Sequence, residues 1–482
     1  MSAQRTSQDP RRWAALALLA LAQFVVVLDA SIMNIALPSI GRAFDTPTEE
    51  LSWVINAYVL TFGGFLLLAG RVADLLGRRR VFIAGLGLFG LASLAGGMST
   101  GEGQLIAARA VQGLGAAILA PSALSIVTTI FREGAERNKA LSVWGAVAGA
   151  GGVAGVLLGG VLTDAFGWEA VLLVNVPVAL VAVLLAPRFI DESRADMAER
   201  SFDLAGATTV TGGLAALVYG LVEAAEAGWT SGRTLAAFGA AALLLVAFVV
   251  VERRASAPLV PFRVFRLRSV SGANLAMTLA GASMFGLFFV LSIYMQQILG
   301  YDALEAGLAQ LPLALTLVVS ASAASPLVER VGVKPVLLAG LLLFAAGLGW
   351  LAFIPADGTL LADILGPSLL IGAGLGLAFV PLTIAAVSGV SRDESGLASG
   401  LINTTQQIGG ALGLAVLVAV ATSRTESSLV SGAAPQVAVT EGFQIALAVA
   451  AGIALLALIA AAVALPSKHR EPVATEQAVA QL

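Results

Sequence analysis

The sequence predicts an all-α, polytopic membrane protein built from two pseudo-symmetric six-helix bundles and an inserted helix pair. Three observations predict this fold: the composition, a series of apolar stretches of membrane-spanning length, and an internal repeat. Hydrophobic residues make up 58% of the 482 residues and charged residues only 12%, and the mean hydropathy is +0.92. Soluble domains are about half apolar and a quarter charged, so the chain is expected to lie mostly within a bilayer.

A helix needs about 20 apolar residues to cross the hydrocarbon layer. Fourteen stretches reach roughly this length, which predicts 14 transmembrane helices. They occupy residues 13–37, 51–70, 81–99, 104–128, 140–163, 170–187, 204–222, 234–251, 270–298, 304–328, 335–354, 360–387, 396–421 and 443–465. The first is too long for the apolar core of a secretion signal and contains Asp29, so we expect it to be retained. The chain has no cysteine and therefore no disulfide.

The positions of the basic residues predict the orientation. Lysine and arginine in short loops stay on the cytoplasmic side. With a cytoplasmic N-terminus, 23 of the 27 basic residues face the cytoplasm, three (Arg42, Arg233 and Arg424) face outside, and Arg109 lies within a span. Both termini are then cytoplasmic. Basic and acidic residues are segregated by membrane side, so the net charge of -3 gives no information about a partner. No nucleic-acid partner is expected.

An internal repeat groups the helices, as in many transporters. A fixed offset of 255 residues pairs Glu50 with Glu305, Asp74 with Glu329, Gly77 with Gly332, Arg79 with Lys334, and Arg137 with Arg392. The repeat predicts an N-terminal six-helix bundle over residues 1–199, an inserted two-helix linker over 200–265, and a C-terminal six-helix bundle and tail over 266–482.

A dense charged turn, GRVADLLGRRR at residues 70–80, separates the second and third predicted spans. One interpretation is a cytoplasmic gate that secures the closed inner face, with a degenerate copy at residues 325–334. The other is a basic loop that only sets the topology, which explains Arg78 and Arg79 but neither Asp74 nor Gly77. The predicted gate residues are Gly70, Arg71, Asp74, Gly77, Arg78 and Arg79.

Two charges fall inside predicted spans, where an ionisable group costs about 2.5–3.5 kcal/mol on insertion scales. Asp29 lies nine residues before Pro38, and Arg109 seven residues after Glu102. At 1.5 Å per residue both lie roughly 10–13 Å below the same surface. A carboxylate whose distance from a guanidinium changes also changes its proton affinity, so Asp29, Arg109 and Gln112 are proton-coupling candidates. The alternative is a static ion pair. At the offset of 255, Met284 and Ile364 replace the two charges, which favours coupling in one half.

Four motifs in this sequence resemble those of a known family. The turn at residues 70–80 matches the signature of the major facilitator superfamily, although Leu75 replaces a usual basic residue. LDASIMNIALP at 28–38 and RAVQGLG at 109–115 resemble motifs of its fourteen-helix drug:proton antiporters. The fourth motif is the glycine-rich fifth helix, in which Val156 replaces the usual proline. Its glycines are Gly145, Gly149, Gly155, Gly159 and Gly160. The resemblance implies multidrug efflux by proton antiport through alternating access.

The glycines of the fifth span have two possible roles. Gly151, Gly155 and Gly159 recur every four residues, a spacing that lets transmembrane backbones approach closely. Such a row could form a sliding contact between the two halves that also blocks proton leak. It could equally be static helix packing, and the sequence alone favours neither.

A substrate pocket is predicted mainly from the ninth span, which offers a broad aromatic and thioether surface suited to lipophilic ligands. Single aromatic residues in apolar helices more often pack or face lipid, so each assignment is an expectation only. The pocket candidates are Asn34, Asn56, Met284, Phe285, Phe288, Tyr294, Asn403 and Gln406.

Two other functional classes have a comparable composition or fold. A membrane-embedded enzyme is disfavoured because the one histidine, His469, lies in the C-terminal tail and no metal-ligand cluster or catalytic triad is visible. A facilitator or importer of a small solute is disfavoured by the fourteen spans and by the motifs around Asp29 and Arg109. We therefore expect a monomeric, multi-pass drug exporter in a bacterial plasma (inner) membrane. No cofactor or metal and no ATP-binding loop is expected, and the partners are protons, lipid and a small-molecule substrate.

Overall fold

The computed structural model describes residues 11–45, 47–131, 135–193, 203–255, 258–260, 262–388 and 395–466, and its regular elements there are all helical. The helices are α1 Arg11–Phe44, α2 Thr48–Leu76, α3 Arg78–Gly97, α4 Glu102–Ile130, α5 Ala135–Phe166, α6 Ala170–Leu173, α7 Asn175–Phe189, α8 Leu204–Ala227, α9 Gly232–Arg254, α10 Arg268–Ile293, α11 Ala303–Val331, α12 Val333–Leu351, α13 Leu365–Val387, α14 Ser395–Val430 and α15 Pro435–Ala464. Short π-helical turns continue α10 over Tyr294–Ile298 and precede α13 over Leu360–Ile364. The predicted all-helical fold class is confirmed to this extent.

Twelve of the described helical segments are long and apolar enough to cross a membrane, with α6 and α7 together forming one of them. The helices α2, of 29 residues, and α5, of 32 residues, are also long, but part of their side chains lies outside the described portion.

The last two spans are longer than the apolar stretches predict. The prediction gave residues 396–421 and 443–465, whereas α14 ends at Val430 and α15 begins at Pro435. An ion pair of 2.7 Å between Arg424 and Glu441 joins the polar ends of the two helices, and Ser428 also donates to Glu441. These contacts pair the charged side chains that lie beyond the apolar stretches. The helical backbone of both spans therefore continues past the ends of those stretches.

We refer to α1–α7 as the first helix group and to α10–α15 as the second. In the first, α1 packs against α4, α5 and α7, and α4 also packs against α2 and α3. In the second, α10 packs against α13, α14 and α15, while α12 and α13 pack together. The pairs α2–α14 and α5–α11 connect the groups. The hairpin of α8 and α9 lies beside α2 and α14, which α8 contacts directly.

The repeated turn has the same backbone feature in both copies. Gly77 joins α2 to α3 with φ 114°, and Gly332 joins α11 to α12 with φ 91°. A residue with a side chain rarely adopts positive φ, whereas glycine does so readily. The glycine therefore recurs at the offset of 255 because both turns reverse the chain in the same conformation. We call the surface at these turns the basic face, after Arg78 and Arg79, and the surface at the other helix ends the opposite face.

The two groups of helices contact each other near the opposite face. On α10, Ser292 donates to the Asn34 carbonyl at 2.5 Å, and Gln296 in the following π turn donates to the Ile35 carbonyl at 3.0 Å. The backbone of Gly160 on α5 lies against Leu304 at the start of α11. These contacts hold α1 and α5 against the second group at this end.

Candidate functional site

The structure brings Asp29, Arg109 and Gln112 together in the interior of the first helix group. Their exposed fractions are 0%, 1% and 1%. Arg109 Nη1 donates to Asp29 Oδ2 at 2.6 Å and to Gln112 Oε1 at 2.6 Å, and Gln112 Nε2 donates to Asp29 Oδ1 at 2.7 Å. Because Arg109 and Gln112 are one helical turn apart on α4, one face of that helix supplies both groups to the carboxylate of α1. Their role in proton coupling stays a prediction.

Two residues that sequence reasoning missed complete this network. Asn175, the first residue of α7, donates to Asp29 Oδ1 at 2.8 Å, and Ser93 of α3 accepts from Gln112 Nε2 at 2.8 Å. Both are buried. The signal for Asn175 was an amide within an otherwise apolar stretch, VLLVNVPVAL at residues 171–180. The position of Ser93 had no such signal, because serine is common in membrane helices that pack closely.

Arg109 is held by α2 as well as by Asp29. Its Nε donates to the Val54 carbonyl at 3.1 Å, and its guanidinium lies 4.3 Å from the ring centroid of Tyr58, within the range of a cation–π contact. Gly113 permits this approach: a Cβ there would lie 2.3 Å from the Tyr58 carbonyl oxygen. Gly113 of the RAVQGLG motif thus lets α2 pack closely against α4, where Val54 and Tyr58 contact the guanidinium.

The network includes groups from five helices, of which α4 and α7 bond the Asp29 carboxylate directly. Asp29 lies on α1, Arg109 on α4 and Asn175 on α7, while α2 and α3 contribute the Val54 carbonyl and Ser93. Both carboxylate oxygens accept hydrogen bonds, and the guanidinium supplies the compensating charge. The charge of Asp29 therefore acts directly on contacts with α4 and α7, and on α2 and α3 only through Arg109 and Gln112. We call Asp29, Arg109, Gln112, Asn175, Ser93 and the Val54 carbonyl the Asp29 network.

The basic turn is tied to the segment that follows α7. The backbone N–H of Arg78 donates to the Ser193 carbonyl at 3.0 Å, and that of Arg79 donates to Glu192 Oε1 at 3.2 Å. Glu192 Oε2 also lies 3.5 Å from Arg80 Nε. Arg78 contacts Thr129 at the end of α4 through its side chain. The turn therefore holds three elements of the first helix group together at the basic face.

The other predicted gate residues lie on α2 and at its end. Gly70 faces Pro121 of α4, with 3.6 Å between an ideal Cβ and that ring. Gly77 lies against the Glu192 carboxylate. Arg71 and Asp74 lie in the last turns of α2, and their side chains are outside the described portion.

The glycines of α5 form the contact with α1. A Cβ on Gly155 would lie 2.6 Å from Ser31 Cβ and 2.8 Å from the Leu28 carbonyl oxygen, and one on Gly159 would lie 3.0 Å from Ile35 Cβ. Gly160 instead faces the backbone of Ala303 on α11 at 2.6 Å. Gly145 and Gly149 lie in α5, and their surroundings are outside the described portion. The row thus packs α5 on the helix that carries Asp29.

A Gly155→Ala substitution is expected to destabilise the protein by about 1–3 kcal/mol, because its methyl group would meet Ser31 and the α1 backbone. Gly152→Ala is the matched control one turn earlier, since its Cβ would lie 3.9 Å from the nearest atom, Ser31 Oγ. Alanine also has the higher helix propensity, so this control should unfold at the same temperature or slightly higher. Thermal unfolding of both variants in one detergent checks the prediction, and equal losses of stability would contradict the α1–α5 contact.

The predicted pocket residues lie on α1, α2, α10 with its following π turn, and α14. Met284, Phe285 and Phe288 are partly buried against the main core. Tyr294 is buried and donates from its hydroxyl to the Pro355 carbonyl at 2.6 Å. Asn34 donates to the Ala30 carbonyl of its own helix at 3.0 Å.

The remaining pocket candidates lie on α2 and α14. Asn56 is fully buried, and its side-chain amide has no hydrogen-bond partner among the described residues. On α14, Asn403 is exposed and Gln406 is half-buried. A side groove near the opposite face contains none of the predicted pocket residues and is lined by Trp229, Ala419, Val420, Ser423, Arg424, Ser427 and Ile445.

Known proteins are similar to this chain in sequence or in fold. The chain is 44% identical to the cephamycin export protein CmcT of Amycolatopsis lactamdurans over 88% of each chain. It is 42% identical to the puromycin resistance protein pur8 of Streptomyces alboniger over 94% of this chain and 92% of that one. A solved structure of a bacterial homologue of the human lysosomal transporter Spinster, in an inward-facing and unoccupied conformation, matches with TM-score 0.69 at 16% identity. It covers 96% of this chain and 99% of that one.

The match to a family model completes the comparison. The model for the Major Facilitator Superfamily matches residues 19–414, a range that includes the Asp29 network, the basic turn and the hairpin of α8 and α9. Since the family and the relatives consist of transporters, the prediction that the chain is not an enzyme is confirmed. The chain belongs to the Major Facilitator Superfamily.

Proposed function

We propose that this protein exports small, mostly lipophilic antibiotics or drugs from a bacterial cell in exchange for protons. The observation that carries the proposal is the buried Asp29 network. Asp29 of α1 bonds α4 and α7 directly, and Arg109 and Gln112 extend the network to α2 and α3, so one protonation event is linked to the arrangement of these helices. Support for the direction and the substrate class comes from relatives named for cephamycin export and puromycin resistance.

The proposed cycle begins with protonation of Asp29 from outside. A neutral Asp29 no longer supplies the counter-charge of Arg109, so the guanidinium favours other acceptors and the contacts among α1, α4 and α7 change. Release of the proton to the cytoplasm restores the ion pair. Substrate capture from the cytoplasm accompanies this release. The next protonation from outside favours the swing to the inward-facing state.

The proposed architecture is a pair of six-helix bundles that rock about a central cavity. In this proposal α2 and α5 also cross the bilayer, which gives fourteen spans, and the basic face is cytoplasmic together with both termini. The contacts of Ser292 and Gln296 with α1 then close the outer side. The basic turn would secure the inner side in the other state of the cycle, consistent with its contacts to Glu192 and Ser193.

Expression in a bacterial host that lacks its own drug pumps tests the export function. We expect cells that express the protein to tolerate higher concentrations of cephamycin or puromycin than cells with an empty vector, and to accumulate less of the compound. A facilitator or importer would raise or equalise accumulation instead. Unchanged tolerance and accumulation across a wider panel of lipophilic antibiotics would contradict drug export.

A further inference from the structure

A second acidic site lies on the inserted hairpin, away from the Asp29 network. Asp203 is the residue before α8 and Glu252 lies in the last turn of α9, so the two arms meet at this end. Their exposed fractions are 7% and 3%. Burial of two acidic groups without a cation is costly if both are ionised.

Each carboxyl is only half satisfied by hydrogen bonds. The Gly206 N–H donates to Asp203 Oδ1 at 2.6 Å, and the Val260 N–H donates to Glu252 Oε2 at 3.0 Å. The other two oxygens, Asp203 Oδ2 and Glu252 Oε1, are buried and have no donor among the described residues. Buried polar atoms without a partner are rare in folded proteins.

These two free oxygens border the same space. A Cβ on Gly206 would lie 2.5 Å from Asp203 Oδ2 and 2.7 Å from Glu252 Oε1. Both oxygens therefore lie close to one point beside the Gly206 backbone. A proton on either carboxyl could be donated to the other, and it would satisfy both free oxygens at once.

The neighbouring elements supply no cation to the pair in the described portion. The apolar cluster of Leu68, Ala207 and Leu259, with Phe65, Val72 and Val260, packs at this end of the hairpin. The arginines Arg253 and Arg254 of α9 and Arg266 of the linker are exposed, and no ion pair joins them to either carboxyl in the described portion. On α2 the charged residues toward this face are Arg71 and Asp74, whose side chains are not described. The charged residues of the described part of α14 are Arg424 and Glu426, and both lie near the C-terminal end of that helix, away from the pair.

We propose that Asp203 and Glu252 bind one proton between them and form a second proton-binding site, whose deprotonation separates the start of α8 from the end of α9. Two adjacent buried carboxylates repel each other and are poorly solvated, so a proton shared between them stabilises the closed end of the hairpin. Opening of this end admits water and relieves that cost. Because α8 contacts both α2 and α14, the opening reaches both helix groups. The site rests on the hairpin geometry and is independent of the proposed drug export.

Spin-label distances test the proposal on the full chain. The protein has no native cysteine, so Thr208→Cys and Val250→Cys would carry the only labels, on exposed positions of α8 and α9. In lipid nanodiscs between about pH 5 and pH 9, a range that spans the titration of a coupled carboxyl pair, we expect one transition to a longer distance as the pH rises.

Two amide variants and one control make the test specific. Glu252→Gln and Asp203→Asn each provide a permanent N–H donor to the other carboxyl, so both are expected to keep the short distance at every pH. Glu223→Gln is the matched control, because Glu223 is a buried acid of the same hairpin that pairs with Arg233 at 3.6 Å. It should retain the transition.

Infrared spectra of the same samples provide a second readout. The intensity of the carbonyl band of a protonated carboxylic acid should decrease as the pH rises over the same range. The band should be weaker in both amide variants. Gel filtration shows which variant is folded, and one folded variant is sufficient for the test. A constant distance in the otherwise unmodified protein, or an unchanged transition in the amide variants, would overturn the proposal.

Discussion

An Asp29→Asn variant is expected to lose uphill, proton-driven export and to keep downhill movement of substrate. Asparagine has nearly the size of aspartate and can still accept a hydrogen bond, but it cannot take up or release a proton. The network around Arg109 and Gln112 would then stay in one charge state throughout the cycle. Proteoliposomes with an imposed pH gradient measure this directly: substrate should no longer accumulate above its external concentration.

The control for this prediction is Glu223→Gln, which neutralises a buried acid outside the Asp29 network. It should export substrate uphill as the unmodified protein does. Counterflow of labelled substrate without a pH gradient shows whether the Asp29→Asn protein is still a folded carrier. Uphill export by a folded Asp29→Asn protein would contradict proton coupling at this residue and favour the static ion pair.

Removal of Arg109 is expected to have the largest effect on stability. Arg109→Leu leaves Asp29 buried without its counter-charge, and loss of one partner of a buried ion pair typically costs about 3–5 kcal/mol. Arg109→Lys keeps the charge but not the geometry, because one ammonium group cannot reproduce the guanidinium contacts with Asp29, Gln112 and the Val54 carbonyl. It should lie between the unmodified protein and Arg109→Leu in thermal unfolding.

A double substitution separates the ion pair from packing. Asp29→Leu together with Arg109→Leu removes both charges, so neither remains uncompensated, and this protein should be more stable than Arg109→Leu alone. Unfolding in one detergent at fixed pH provides the comparison. If the double variant is destabilised by the full sum of the two single losses, Asp29 and Arg109 are not energetically coupled.

The sequence was sufficient to predict the family, the helical class and the two charges of the site. Helical rise alone placed Asp29 and Arg109 at one depth, and the structure joins them at 2.6 Å. This worked because an ionisable residue in an apolar span has few alternatives to a partner at its own depth. Asn175 and Ser93 were missed, since uncharged polar residues are frequent in membrane helices and the sequence does not show which face each helix presents.

The sequence by itself determined the lipid environment, the repeat, the turn glycines and the depth of the charges. Each of these depends only on composition or on position along a helix. Contacts between helices distant in the chain were decided only by the tertiary structure. The five-helix origin of the Asp29 network, the contact of Gly155 with α1 and the meeting of Asp203 with Glu252 all depend on helix rotation and crossing. Most of these helices are apolar on all faces, so no amphipathic pattern indicates how each helix is rotated about its axis. Side-chain packing between the helices fixes this rotation instead.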